Sequence, residues 1–261
     1  MQIPKENILD YSISTFPVSQ CIDIICDWLN SSGDRKVFVC ANPHSLVEAE
    51  YDAGFQQAIH GADLVTPDGV GIVIASKLLG GSIKERVTGS DIFWGLNARL
   101  NDDGGKSYFF LGSTEETLQA IKEKMAVEYP NIRFAGSYSP PYKAEFSEED
   151  SRKMVEAVNG AKPDVLWVGM TAPKQEKWVY QNKDKLDVKF IGAVGAVFDF
   201  YAGNVKRSHP VFQKMGLEWL PRLLQEPRRL FRRNFVSSPL FLLRVIRARL
   251  KGQLATPVSE K

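Results

Sequence analysis

Asp68 stands in the segment Thr66-Pro67-Asp68-Gly69-Val70-Gly71, directly after the apolar run ADLVT (62–66). A carboxylate held at a strand end, inside a cleft, can act as a general base that takes a proton from an attacking hydroxyl. Pro-Asp-Gly is also a turn signal, and in a plain turn Asp68 satisfies its own backbone. The residues alone leave both readings open. Asn42, after KVFVCA (36–41), poses a similar choice: its amide can meet a ligand or cap the next helix, and the cap is the simpler reading.

Other residues suit an anionic ligand. KERVTGSD (84–91) sets Arg86 and Asp91 around a Thr-Gly turn; an arginine there can clamp a phosphate with two hydrogen bonds, with a surface ion pair as the competing role. FFLGSTEE (109–116) leads a strand into a helix through Gly112-Ser113, where free N–H groups can meet an anion. In VGMTAPKQEKW (168–178), Lys174, Gln175 and Glu176 stand at a helix start, where a lysine is disfavoured unless an anion is near. The Gln175 amide could read a base or ribose edge. In GAVGAVFDFYAGNVKRSHP (192–210), glycines permit close backbone approach beside Asp199, Lys206 and Arg207, a combination suited to a sugar nucleotide.

Absences narrow the chemistry further. Gly69-Val70-Gly71 begins a dinucleotide fingerprint, but Ile74 occupies the third glycine position and Asp91 opens a helix, which argues against a Rossmann dehydrogenase. The chain has no Asp-x-Asp, no Walker lysine motif and no Gly-x-Ser-x-Gly elbow. Its histidines, His44, His60 and His209, lie far apart and make no ligand-spaced set. Phosphate charge would therefore fall to Arg, Lys and backbone N–H groups. Cys21, Cys26 and Cys40 suggest neither a disulfide framework nor a zinc pair and read as reduced thiols.

The elements that must hold these residues follow from hydrophobic period. KVFVCA (36–41), ADLVT (62–66), SYFFLG (107–112), DVLWVG (164–169) and VKFIGAV (188–194) read as buried strands. The segments between them, PHSLVEAEYDAGFQQAIH, SDIFWGLNARLN, STEETLQAIKEKMAVEYP and SEEDSRKMVEAVNG, carry helical spacing, with Ser113 and Glu116 forming a candidate capping box. The alternation predicts an α/β fold, a mostly parallel Rossmann-like sheet with helices on both faces. Ligands of such sheets sit beyond the carboxyl ends of the strands, where the residues above fall.

The 261 residues are 44% hydrophobic and 25% charged, enough for a full core and unlike a disordered chain. Charge is split along the chain: residues 222–261 hold ten Lys/Arg against two Asp/Glu, whereas residues 1–221 hold 23 against 29. In the basic part, Arg222, Arg228, Arg229, Arg232 and Arg233 interleave with leucine and phenylalanine. Such helices suit an anionic membrane surface better than nucleic acid. We expect an α/β catalytic domain over 1–215, a basic amphipathic appendage over 216–251 and a flexible tail over 252–261. The opening residues lack signal-peptide order and no 18-residue apolar run occurs, so a cytoplasmic body is expected.

Seven motifs in order, ANPHSLVEA, ADLVTPDGVG, ERVTGSD, FFLGS, APKQEKW, GAVFDFYAGNVKR and LEWLPRLLQEPRRLFRR, resemble the TagA/WecG/CpsF family of bacterial glycosyltransferases from about residue 10 to residue 235. The resemblance implies a GT-E-like fold and inverting, metal-independent transfer without a cofactor. The donor would be a UDP-sugar and the acceptor a polyprenyl-diphosphate-linked saccharide. The setting would be the cytoplasmic face of the bacterial inner membrane, in exopolysaccharide, teichoic acid or common-antigen synthesis. By motif, Asp68 would be the catalytic base. Cys40, where the family commonly has Thr, would line the donor pocket with Asn42 and Gln175, and Arg86 would sit beside it. Arg222, Arg229 and Arg232 would meet the lipid diphosphate. The alternatives are a non-catalytic membrane scaffold and an NAD-dependent nucleotide-sugar enzyme. A homo-oligomer is left open.

Overall fold

In the computed structural model of the chain, which describes residues 2–205 and 231–258, an antiparallel hairpin comes first: β1 (Lys5–Ile8) and β2 (Tyr11–Ser14). Helix α1 (Val18–Asn30) follows. Six strands then build one sheet: β3 (Lys36–Ala41), β4 (Leu64–Pro67), β5 (Ser107–Gly112), β6 (Arg133–Tyr138), β7 (Val165–Gly169) and β8 (Phe190–Ala193). Their order is β4-β3-β8-β7-β5-β6, and every pairing is parallel. The connections carry α2 (Pro43–Ala49), α3 (Ala53–His60), α4 (Val70–Leu79), α5 (Gly89–Asp103), α6 (Glu115–Glu128), α7 (Glu148–Ala161), α8 (Lys174–Asn182) and α9 (Val197–Ala202). Near the end, a π-helical turn at Arg232–Ser237 runs into α10 (Ser238–Leu250).

Successive strand residues point to opposite faces, and here both faces are apolar. Val37, Val39, Phe109, Leu111, Leu166, Val168 and Ile191 face one core with α2, α3, α4, α7, α8 and α10. Phe38, Tyr108, Phe110, Val165, Trp167 and Phe190 face the other with α1, α5, α6 and α9. The expected α/β class, with a parallel sheet covered on both sides, is what the chain adopts. On the second face, Phe93 meets Trp167 and Tyr201 edge-on, with ring centroids 5.1 and 5.2 Å apart. This geometry suits the aromatic quadrupole.

Several local expectations need correction. The segment expected to be helical from Pro43 to His60 is two helices, because Asp52 restarts the chain by accepting the Phe55 N–H at 3.0 Å. Ser113 does not cap α6. It lies at φ +60°, and the Thr114 hydroxyl accepts the Thr117 N–H instead. Strand β6 has no continuous apolar run to announce it, being an edge strand with no fully buried residue and a glycine at its centre. The hairpin lacks the usual sequence signal, since Leu9 and Asp10 both adopt positive φ in its turn without a glycine or asparagine.

The C-terminal part also differs from expectation. Helix α10 packs on α2 and α4 and buries Phe241, Val245 and Ala248 in the first core. Residues 255–258, within the segment expected to be flexible, are hydrogen-bonded: Thr256 O accepts from Asn7 N, Val258 N donates to Lys5 O and Ala255 N donates to Leu79 O. Backbone groups at the β1 edge and at the end of α4, together with Ala255 packed against the first core, explain why this segment docks there.

Candidate functional site

The carboxyl ends of all six parallel strands open into one cavity of about 1220 Å³. Residues following each of them line it, from Asn42 after β3 and Asp68 after β4 to Ser113, Ser139, Met170 and Val194. This is the location expected for a ligand of a parallel sheet.

Asp68 is positioned by backbone. Its N–H donates to Ala41 O at 2.8 Å, so the β3–β4 ladder continues to the residue itself. Gly69 then turns the chain into α4 at φ +103° and ψ 151°, a conformation essentially reserved for glycine. Asp68 is half-buried in the cavity wall.

Asn42 does what its simpler reading required: its Oδ1 accepts the Ser45 N–H at 3.0 Å, while Ser45 Oγ accepts the Asn42 N–H at 2.8 Å. The residue also lines the cavity. Cys40 lies behind it, its Sγ receiving the Thr66 hydroxyl at 3.7 Å. Burial first, and then the negative charge of Asp68, push the Cys40 thiol well above its ordinary range, so it stays protonated. Arg86 and Asp199 line the same cavity, Asp199 in the first turn of α9.

Gln175 and Glu176 form a buried pair at the start of α8. Gln175 Oε1 accepts the Met170 N–H at 3.2 Å, and its Nε2 donates to Glu176 Oε1 at 2.8 Å. Gly195, at φ +57°, lies against this amide: a Cβ there would stand 3.6 Å from Gln175 Nε2. The second oxygen, Glu176 Oε2, is buried with no hydrogen-bond partner. Burial raises the Glu176 carboxyl to about 7. Lys174 is held below the usual lysine range by burial as well. Its Nζ donates to Lys143 O at 2.8 Å and stands 4.7 Å from the centre of the Phe146 ring.

Cys40, Asn42, Asp68, Arg86, Gln175 and Asp199 thus come together, although they are spread over 160 positions of sequence. Asp91 does not line the cavity: its Oδ2 accepts the Thr88 N–H at 2.9 Å and the Thr88 hydroxyl at 2.7 Å, closing a capping box on α5. Arg232 pairs with Glu48 at 3.1 Å, and its neighbour Arg233 is the one that lines the cavity. Lys206, Arg222 and Arg229 lie outside the described residues.

Residues to which the sequence assigns no specific role also converge here. Glu176 is the main one, and its signal was present. Gln175, Trp178, Val179 and Asn182 repeat at helical spacing on the buried side of α8, which draws the polar start of that helix inward. His44, also in the cavity wall, shares a hydrogen bond of 2.9 Å with Ser237, tying α2 to the approach to α10. Among the described residues, no three His, Cys, Asp or Glu side chains converge as metal ligands would.

The model of the glycosyl transferase WecG/TagA/CpsF family matches residues 6–255. The chain is similar to an N-acetylglucosaminyldiphosphoundecaprenol N-acetyl-beta-D-mannosaminyltransferase of Bacillus spizizenii, 31% identical over 209 residues that cover 80% of this chain and 78% of the relative. It is 27% identical over 248 residues to the Staphylococcus aureus protein of the same name, covering 95% and 94%. The Bacillus subtilis protein of that name is 28% identical over 225 residues, covering 86% and 84%.

Proposed function

This chain belongs to the glycosyl transferase WecG/TagA/CpsF family and is a glycosyltransferase, and on that footing we propose that it moves a sugar from a UDP-sugar to a polyprenyl-diphosphate-linked saccharide in the synthesis of a cell-surface polymer. The acceptor class is supported by the names of the relatives, which act on N-acetylglucosaminyldiphosphoundecaprenol. The observation that carries the reading is Asp68, a carboxylate fixed by backbone at the end of β4 in a cavity that also holds Arg86 and Gln175.

In the proposed step, an acceptor hydroxyl attacks the anomeric carbon from the face opposite the UDP. The new C–O bond forms as the bond to the diphosphate oxygen breaks, that oxygen keeping the electron pair. Asp68 takes the hydroxyl proton. Arg86 and Lys174 meet the charge that grows on the leaving diphosphate, so they favour the transition state over the bound donor. The chain contains no Asp-x-Asp, which supports cationic side chains in that role in place of a metal. Gln175, its amide held on both sides, reads the nucleotide sugar, with Asn42, Cys40 and Asp199 around it.

A lipid-linked acceptor calls for work at a membrane face. No helix among the described residues is long and apolar enough to cross a membrane, and the basic C-terminal part supports peripheral attachment. A panel of UDP-sugars offered with short-chain polyprenyl-diphosphate-linked sugars, read by product mass, tests the reaction. One new saccharide bond with UDP release is expected. Absence of transfer across the panel would overturn it.

A further inference from the structure

Neither α4, VGIVIASKLL, nor α10, SPLFLLRVIRARL, contains an acidic residue. Their buried sides face the core through Ile72, Ala75 and Leu79 on one and Phe241, Val245 and Ala248 on the other. Their outer sides are apolar too. On α4, Val70, Ile74 and Leu78 recur every fourth residue and are 49%, 41% and 40% exposed. On α10, Leu243, Ile246 and Leu250 are 43%, 45% and 82% exposed.

The two helices pack together. Val70 and Ile74 line the cavity with Leu242 at one end, and at the other Ala255 N donates to Leu79 O. The apolar strip therefore starts at the wall that holds Asp68 and extends about 12 Å along α4. Exposed Lys77, Arg247, Arg249 and Lys251 flank it. Arg244 is already paired with Glu50, whereas these four cations form no ion pair among the described residues, and an exposed apolar face flanked by such cations marks a contact. Cations around apolar side chains match anionic headgroups over acyl chains.

We propose that α4 and α10 together form the surface that lies on an anionic lipid bilayer, so that the body's own helix, and not the C-terminal part alone, sets the enzyme on the membrane with the Asp68 end of the cavity at the lipid boundary. The inference rests on the lipid-linked acceptor proposed above.

Flotation of the full chain with vesicles of three parts phosphatidylcholine to one part phosphatidylglycerol tests it. Leu78→Glu on α4 and Ile246→Glu on α10 are each expected to lower the vesicle-bound fraction at least tenfold, with thermal melting unchanged. Transfer to a water-soluble, short-chain acceptor should also stay unchanged. Binding of Leu78→Glu equal to the parent overturns the proposal. So does a fall in molecular mass by sedimentation in that variant, which would make the strip an interface between copies of the chain. Loss of vesicle binding in both variants, together with no transfer by the parent to any acceptor, would keep the surface and reject the reaction instead.

Discussion

The N–H of Asp68 donates to the carbonyl of Ala41 at 2.8 Å, which joins the turn after β4 to the end of β3. That bond, with Gly69 at φ +103°, fixes where the carboxylate leaves the backbone. Gly69→Ala puts a Cβ into open space, since nothing lies within 4 Å of it, so its cost comes from the backbone alone, about 1–3 kcal/mol. We expect a lower melting temperature and a loss of turnover at 25 °C, where the protein remains folded. A variant with parental melting and turnover would mean that the turn does not hold Asp68.

Glu176 gives a pH dependence of stability with a definite sign. Burial raises its folded pKa from 4.5 to about 7, so the folded state holds a proton that the unfolded state releases. Its contribution is most favourable below pH 4.5 and is lost as pH rises toward 7, reaching a penalty of about 3 kcal/mol beyond it. Glu176→Gln removes the ionisable group and keeps an acceptor for the Gln175 amide. Chemical denaturation at pH 5 and pH 8 should show this variant gaining stability relative to the parent at pH 8 by more than at pH 5. Equal differences at both values would mean that Glu176 is not a buried acid.

Helix α10 is expected to behave as core. Phe241 is 1% exposed against the first hydrophobic cluster, and Phe241→Ala should cost about 3–5 kcal/mol. The whole cooperative transition should move to lower denaturant. If only a minor early phase moved, the C-terminal helix would be a separate unit.

How far the sequence foretold this arrangement depends on where each residue sits. The five strands with continuous apolar runs were legible because a buried parallel sheet tolerates little else, and their ends located the cavity. Asn42 was legible both as a cap and as a cavity residue because one side chain performs the first role while standing in the wall. Asp91 illustrates the opposite case: the Thr88 backbone and hydroxyl claim its Oδ2, a pairing that spacing allows but does not require. Glu176 is legible as part of a polar helix start but not as a buried acid, because a charged residue in the first turn of a helix usually faces solvent, and only the packing of Trp178 and Val179 turns that end inward. The docking of α10 was hidden for a related reason. Arg244, Arg247 and Arg249 dominate the reading of its charge, yet Phe241, Val245 and Ala248, on the face packed against the body, decide its place.

The most direct measurement is turnover of Asp68→Asn on a lipid-linked acceptor, alongside calorimetric binding of the UDP-sugar. Asparagine keeps the shape and removes the proton acceptor. Turnover should fall by roughly two to four powers of ten while the donor affinity stays within about threefold of the parent. Turnover near the parental rate in a variant that binds the donor normally would contradict Asp68 as the base.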